Sequence, residues 1–319
     1  MPVLTKPRAC ATGMTVGVIC PASPPKSEEG WTTAGRQLRD LGFEVRWSPV
    51  CEDLQAGKPH GNHAARVADL HWAFAETDID IVWAIRGGYG CLPLLPAVDF
   101  DLIARNPKPL LGFSDLTALT LVIHGRTGLV TFHAPMPSLP LTAYSRGELL
   151  RVLGGSDPAG TVNPLDAQAI AGVLPPQHVT IHGGTAEGPL LPGNLALLMR
   201  LIGTPFQPDF RGRILCIEDV GEAPHRVHGY LTQLLLAGRL QELAGIALGS
   251  FLGDEPKLSS EDLAIWQEVF ADRLRRLKIP VFWGLPLGHI DSQTSLPVGV
   301  SARIRAEEGL LELLDGAVL

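Results

Sequence analysis

Nowhere in its 319 residues does this chain hold eighteen uninterrupted apolar residues, so no membrane-spanning helix is expected. It has no block of Lys and Arg either. Its 26 basic residues are outnumbered by 33 acidic ones, for a formal charge of -7, so neither nucleic acid nor an anionic membrane is an expected partner. Cysteine is scarce, and Cys10, Cys20, Cys51, Cys91 and Cys216 form no C-x-x-C pair. An odd, scattered set in a chain of this length reads as reduced thiols in a cytoplasmic protein. Lys6 and Arg8 precede no apolar run long enough for a secretory leader, which agrees with that location. H-E-x-x-H and paired Cys/His spacings are missing, so no metal site is expected. The dinucleotide fingerprint G-x-G-x-x-G is absent, as are internal repeats and low-complexity tracts.

What remains is a chain that is 45% hydrophobic and 18% charged, long enough for two cores. Short apolar runs at 14–20, 79–84 and 109–113 and an alternating one at 43–47 read as strands, and helical patterns at 28–41, 62–77 and 115–125 lie between or after them. That alternation predicts a parallel sheet covered by helices, with ligands beyond the carboxyl ends of the strands. The loops at 21–25 and 87–90 and residue Ser114 all fall at that edge. Pro and Gly recur from about 136 to 184. The expected organisation is an N-terminal α/β domain over 1–145, a linker over 146–180, and a C-terminal mixed α/β domain over 181–319. In the second domain, 190–202 and 229–237 read as helices, 213–217, 245–251 and 281–284 as strands, 260–277 as a long amphipathic helix and 302–313 as a closing hairpin.

Ser114 is the first candidate for chemistry. An apolar run reaches Gly112, Ser114 follows, and a helical pattern begins at once. A serine at a tight strand-to-helix turn presents its hydroxyl beside the open N–H groups of a helix start, which suits a nucleophile with an oxyanion site. Such a serine needs a base and an orienting acid. Among ten histidines, His60, His63 and His71 flank a helix and are expected to face solvent, while His124 ends a helix and favours its dipole. His133 follows a strand and is a minor candidate to line the cleft. His289 protrudes from a Gly/Pro-bounded loop, GLPLGHID; a loop histidine bonded to backbone is the competing reading. Glu218 directly follows four apolar residues, so its carboxylate needs a partner, either a catalytic one or a salt bridge. Asp219 and Glu222 lie farther into the same loop.

Several segments in order resemble one family: CPAS (20–23), IRGGYG (85–90), GFSDLT (112–117), GGTAEGPL (183–190), GNL (193–195) and IEDVGEAP (217–224). From Val16 to about Val300 the chain is similar to the serine-type LD-carboxypeptidases, which include murein tetrapeptide carboxypeptidases and microcin-immunity peptidases. The resemblance implies a catalytic triad of Ser114, His289 and Glu218, with the nucleophile on the first domain, the other two on the second, and the site at their interface. It implies an oxyanion site on the backbone N–H groups of Gly88 and Asp115, no metal or organic cofactor, a small peptide substrate and a homodimer. Leu116 stands where the nucleophile elbow G-x-S-x-G has its second glycine, so an α/β-hydrolase is not indicated.

Around these residues, Gly87, Gly88 and Gly90 allow close backbone approach to a ligand. Arg86 is a candidate for a substrate carboxylate, against an ion pair with an acid such as Asp99. Tyr89 either walls the pocket or packs. The Asp115 side chain is expected to cap the helix it begins, and Asn194 and Glu187 to shape the face between domains. The expected reaction is release of terminal D-alanine from murein tetrapeptide in cell-wall recycling. The alternatives are cleavage of a peptidyl-nucleotide amide, for which residues 140–185 offer only Tyr144 as a stacking aromatic, and a binding module without catalysis.

Overall fold

The computed structural model describes residues 2–165, 171–252 and 258–319. They divide into two compact units. The first holds residues 1–156, 295–298 and 317–319, and the second 157–294 and 299–316.

In the first unit the strands are β1 (Thr15–Ile19), β2 (Glu44–Trp47), β3 (Ile81–Ala84), β4 (Leu110–Gly112), β5 (Phe132–His133) and β12 (Leu296–Pro297). The sheet order is β12-β5-β4-β3-β1-β2, and all pairs are parallel except β12 with β5. Helices α1 (Glu28–Asp40), α2 (Pro49–Gln55), α3 (His63–Ala75), α4 (Phe100–Arg105), α5 (Thr117–Thr127) and α6 (Ala143–Leu153) complete it. β1 and β3 are buried almost throughout, as apolar runs in a parallel sheet must be. The order 2-1-3-4-5 reverses direction between β1 and β3. The loops leaving β1 and β3 lie at this switch point, the place beyond the strands' carboxyl ends where sheets of this kind bind ligands.

The second unit is built on an eight-stranded sheet, β6-β14-β13-β8-β9-β10-β11-β7. Its strands are β6 (Gly160–Thr161), β7 (Val179–His182), β8 (Thr185–Asn194), β9 (Ile214–Glu218), β10 (Gly245–Leu248), β11 (Val281–Trp283), β13 (Ser301–Arg305) and β14 (Leu310–Leu313). β8 to β11 run parallel and the flanks antiparallel. Helices α7 (Leu195–Leu201), α8 (Pro224–Leu236) and α9 (Ser260–Leu274) belong to it. Phe251, Trp266, Phe270 and Trp283 form a chain of ring contacts with centroids 5.3–5.5 Å apart. Such pairs add about 0.5–1.5 kcal/mol each beyond their burial.

Two sequence expectations differ from this fold. The leucine-rich stretch 190–202 reads as one helix, yet β8 continues to Asn194 and the helix starts at Leu195. Pro192 and Gly193 oppose a helix, while β8 exchanges its antiparallel partner β13 for its parallel partner β9 at Leu190. The expected linker 146–180 holds most of α6, all of β6 and the start of β7, and the division between units falls at Ser156 and Asp157; its residues 166–170 lie outside the described residues. Thr142 accepts a hydrogen bond from Ser145 N–H and so caps α6, a start signal that the surrounding Pro and Gly residues conceal. Helix α2 escaped the periodicity because it is short, although Ser48 caps it and Pro49 opens it.

Candidate active site

Ser114 stands two residues after β4, at the head of a 3-10 turn, Ser114–Leu116, that runs into α5. Its φ is 61°, a left-handed value that costs a non-glycine residue about 1–2 kcal/mol. Two neighbours hold the turn. A Cβ on Gly112 would lie 2.7 Å from Leu116 Cγ, so glycine there lets Leu116 pack down onto the end of β4. The buried Asp115 carboxylate accepts a hydrogen bond from Cys91 N–H at 2.8 Å, which ties the turn to the glycine-rich loop after β3. Asp115 therefore braces a loop, and the residues at the N-cap positions of that 3-10 turn and of α5, Phe113 and Leu116, make no side-chain cap bond.

That loop lies against Ser114. A Cβ on Gly87 would be 2.9 Å from Ser114 Cβ, 3.1 Å from its Oγ and 3.4 Å from Asp115 N. Only glycine permits this approach. Gly88, with φ 108°, is exposed. The loop is fastened to the segment after β1: Ser23 N–H donates to Gly87 O (3.1 Å), Tyr89 N–H donates to Ser23 Oγ (3.1 Å), and Arg86 Nη1 donates to Pro24 O (3.0 Å). Below, the buried Arg66 donates to Pro21 O at 2.9 Å. Arg86 is half-buried and forms no ion pair with Asp99, whose carboxylate caps α4 at Leu102 N–H. Tyr89 is 65% exposed.

In the second unit, too, candidate groups stand at the carboxyl ends of parallel strands. Glu218, the last residue of β9, is fully buried, and His289 rises from the loop after β11. His289 Nδ1 donates to Glu218 Oε2 at 2.7 Å, a charge-assisted bond that fixes the ring tautomer with the proton on Nδ1. Backbone bonds pin the histidine loop: Ser250 N–H to Leu287 O (2.9 Å), Thr294 N–H to Pro286 O (2.7 Å) and Ile290 N–H to Gly288 O (2.9 Å). Gly288 has φ 118°, and a Cβ there would sit 2.8 Å from Glu218 Cβ, so glycine lets the loop settle on the acid.

Asp219 is structural. Its carboxylate accepts from Asn194 Nδ2, Ala196 N–H and Val220 N–H, all at 2.9 Å. Burial, and then the neighbouring Glu218 charge, push its carboxyl up to about 6. Asn194 caps α7 through Leu197 N–H, and Glu187 pairs with Arg303 at 2.6 Å across β8 and β13. His133 is buried with its ring 5.7 Å from Phe113, inside the first unit's core. His60 contacts Cys20 O at 3.2 Å and His71 accepts from Asp99 N–H at 2.8 Å, so these two are held by the fold and not simply solvated as expected. All five cysteines are buried free thiols. In the sequence, CPAS is one of the segments that carry the family resemblance, and nothing there gives Ser23 a role. Its position at the carboxyl end of β1, before two prolines, was the available signal.

The fold and these groups describe a two-unit hydrolase with a strained serine on one α/β unit and a His–Glu pair on the other. The chain belongs to the LD-carboxypeptidase family: the family's N-terminal domain matches residues 16–134 and its C-terminal domain residues 187–304. Within that family it is a serine-type carboxypeptidase. It is 35% identical to a probable murein peptide carboxypeptidase of Bacillus subtilis over 95% of this chain and 92% of that protein. It is also 35% identical to the murein tetrapeptide carboxypeptidase of Pseudomonas aeruginosa, over 76% of this chain and 78% of that protein. Among solved structures, an MccF-like protein from Bacillus anthracis matches with a TM-score of 0.86 and 27% identity, covering 97% of this chain and 99% of that one.

Proposed function

We propose that this chain hydrolyses the L,D-peptide bond that holds the terminal D-alanine of murein tetrapeptide, in cell-wall recycling within the cytoplasm, and that it works as a homodimer. Ser114 is the nucleophile, His289 its base and Glu218 the acid that orients the imidazole. The observation that carries this reading is Ser114 itself: a non-glycine residue held at positive φ, with Gly87 packed close against it and against Asp115 N, in a chain of this family. Left-handed strain at a non-glycine residue concentrates at functional positions.

The chemistry follows from these groups. His289 Nε2 takes the Ser114 proton as Oγ attacks the scissile carbonyl, and Glu218 stabilises the imidazolium. Charge then develops on the carbonyl oxygen, which the N–H groups of Gly88 and Asp115 receive; one such donor is worth about 3 kcal/mol of barrier. His289 passes its proton to the leaving amine of D-alanine, and water attacks the acyl-enzyme by the same route in reverse. Arg86 and Tyr89 stand beside Gly87 on the loop and would meet the free carboxylate of the departing residue.

Likeness to the MccF-like protein favours a second reading, cleavage of a peptidyl-nucleotide amide. The aromatic poverty of 140–185, with Tyr144 alone, speaks against it. Mass spectrometry decides between them after separate incubation with L-Ala-D-Glu-meso-diaminopimelate-D-Ala and with an aminoacyl-nucleotide amide. Free D-alanine from the tetrapeptide, and an intact amide, is the expected result. Cleavage of the amide alone would replace the first reading with the second, and turnover of neither would leave a binding role.

A further inference from the structure

In a trans peptide the C=O of one residue and the N–H of the next point in opposite directions. Fixing one therefore aims the other. In the loop after β3, Gly87 C=O is taken by Ser23 N–H at 3.1 Å. Gly88 N–H, on the same peptide plane, is turned away from Ser23, and no described residue accepts a hydrogen bond from it. The next amide is also held, since Tyr89 N–H donates to Ser23 Oγ at 3.1 Å. Ser23 also fills the space beside Gly88: a Cβ there would lie 2.7 Å from Ser23 Cβ. One serine thus grips the loop on both sides of a peptide that it leaves pointing outward. The Gly87 end of that peptide touches Ser114.

We propose that Ser23 is the positioning residue of the oxyanion site: by holding Gly87 C=O and Tyr89 N–H it presents Gly88 N–H to the developing oxyanion. This rests on Ser114 being the nucleophile and goes beyond it by assigning the device that orients the donor before substrate arrives. Preorganisation of this kind acts on the transition state and not on ground-state binding, so it appears in kcat and not in KM.

A fluorophosphonate tests it without any peptide substrate. Ser114 Oγ attacks phosphorus, the P–O bond forms, fluoride leaves with the P–F bonding pair, the serine proton passes to His289, and the phosphoryl oxygen occupies the oxyanion site. Ser23→Ala keeps the backbone N–H but removes the acceptor for Tyr89. The expected result is labelling slowed about 10-fold and a thermal midpoint within a few degrees; a separate assay of D-alanine release from the tetrapeptide should show a similar fall in kcat with KM within about 3-fold of wild type. Labelling and kcat at the wild-type rate would overturn the role of Ser23, as would a rate loss that tracks loss of folded protein. A wild type that does not label at Ser114 would instead sink the nucleophile itself. A second measurement needs no variant: amide hydrogen exchange by NMR on the wild-type protein. Tyr89 N–H should exchange slowly and Gly88 N–H fast, and Gly88 N–H should become slow once Ser114 carries the phosphonate. A Gly88 amide that is already slow before labelling, or still fast after it, contradicts the proposal.

Discussion

Ser114 carries a cost that its neighbours make bearable. Its left-handed φ of 61° is unfavourable for any residue with a Cβ, so glycine at this position would relieve strain. Ser114→Gly should therefore be more stable than Ser114→Ala by about 1 kcal/mol, the reverse of the order these residues show inside regular helices and strands. Denaturant unfolding of the two variants measures this, and both should be inactive. Equal stability, or a more stable alanine variant, would mean that the turn is not strained. The position of Ser114 was legible in the sequence because an apolar run, a glycine and a helical pattern bracket it. Its φ was not, since nothing in the local pattern distinguishes a strained serine from a capping one. The contact between His289 and Glu218 was even less accessible. The two lie 71 residues apart, and only the resemblance paired them.

The elements of both units deliver their candidate groups at the carboxyl ends of parallel strands. β1, β3 and β4 lead to Ser23, to the glycine-rich loop and to Ser114, and β9 and β11 lead to Glu218 and His289. Short β-branched strands made this much readable. The failures came where one element hides another: leucines 190–202 suggested a helix until strand pairing claimed the first part, and Pro and Gly around α6 suggested a linker. The histidine loop is the element most exposed to a single change. Gly288→Ala would place a Cβ 2.8 Å from Glu218 Cβ and 3.0 Å from its Oε2, at a φ of 118° that side chains avoid. It should lower stability by about 1–3 kcal/mol and turnover at least 10-fold, because the loop must move off the acid. Thermal melting together with kcat checks both, and a variant with normal turnover would show that the loop tolerates a different seat.

For the whole molecule, buried acids set part of the pH dependence of folding. Asp69 on α3 accepts from Ser48 Oγ and from Val50 N–H, so it joins α3 to the start of α2. Burial is the main cause that raises its carboxyl from 3.8 to about 6. The folded chain then binds this proton more tightly than the unfolded chain does. Its favourable contribution is complete below about pH 4 and is lost as pH rises through 6. Asp69→Asn lacks that loss, so its stability relative to wild type should improve between pH 4 and pH 7, read from paired melting curves. A constant difference across that range would show that Asp69 does not titrate there.

The proposed function makes Ser114, His289 and Glu218 parts of a single catalytic device. Its most direct test is kcat/KM for D-alanine release by wild type, Ser114→Ala, His289→Ala and the double variant. Groups that act together are strongly non-additive. Each single change should cost about 1,000-fold or more, and the double variant should be no worse than the more damaged single one. Losses that multiply, or release that survives in Ser114→Ala, would contradict a shared mechanism.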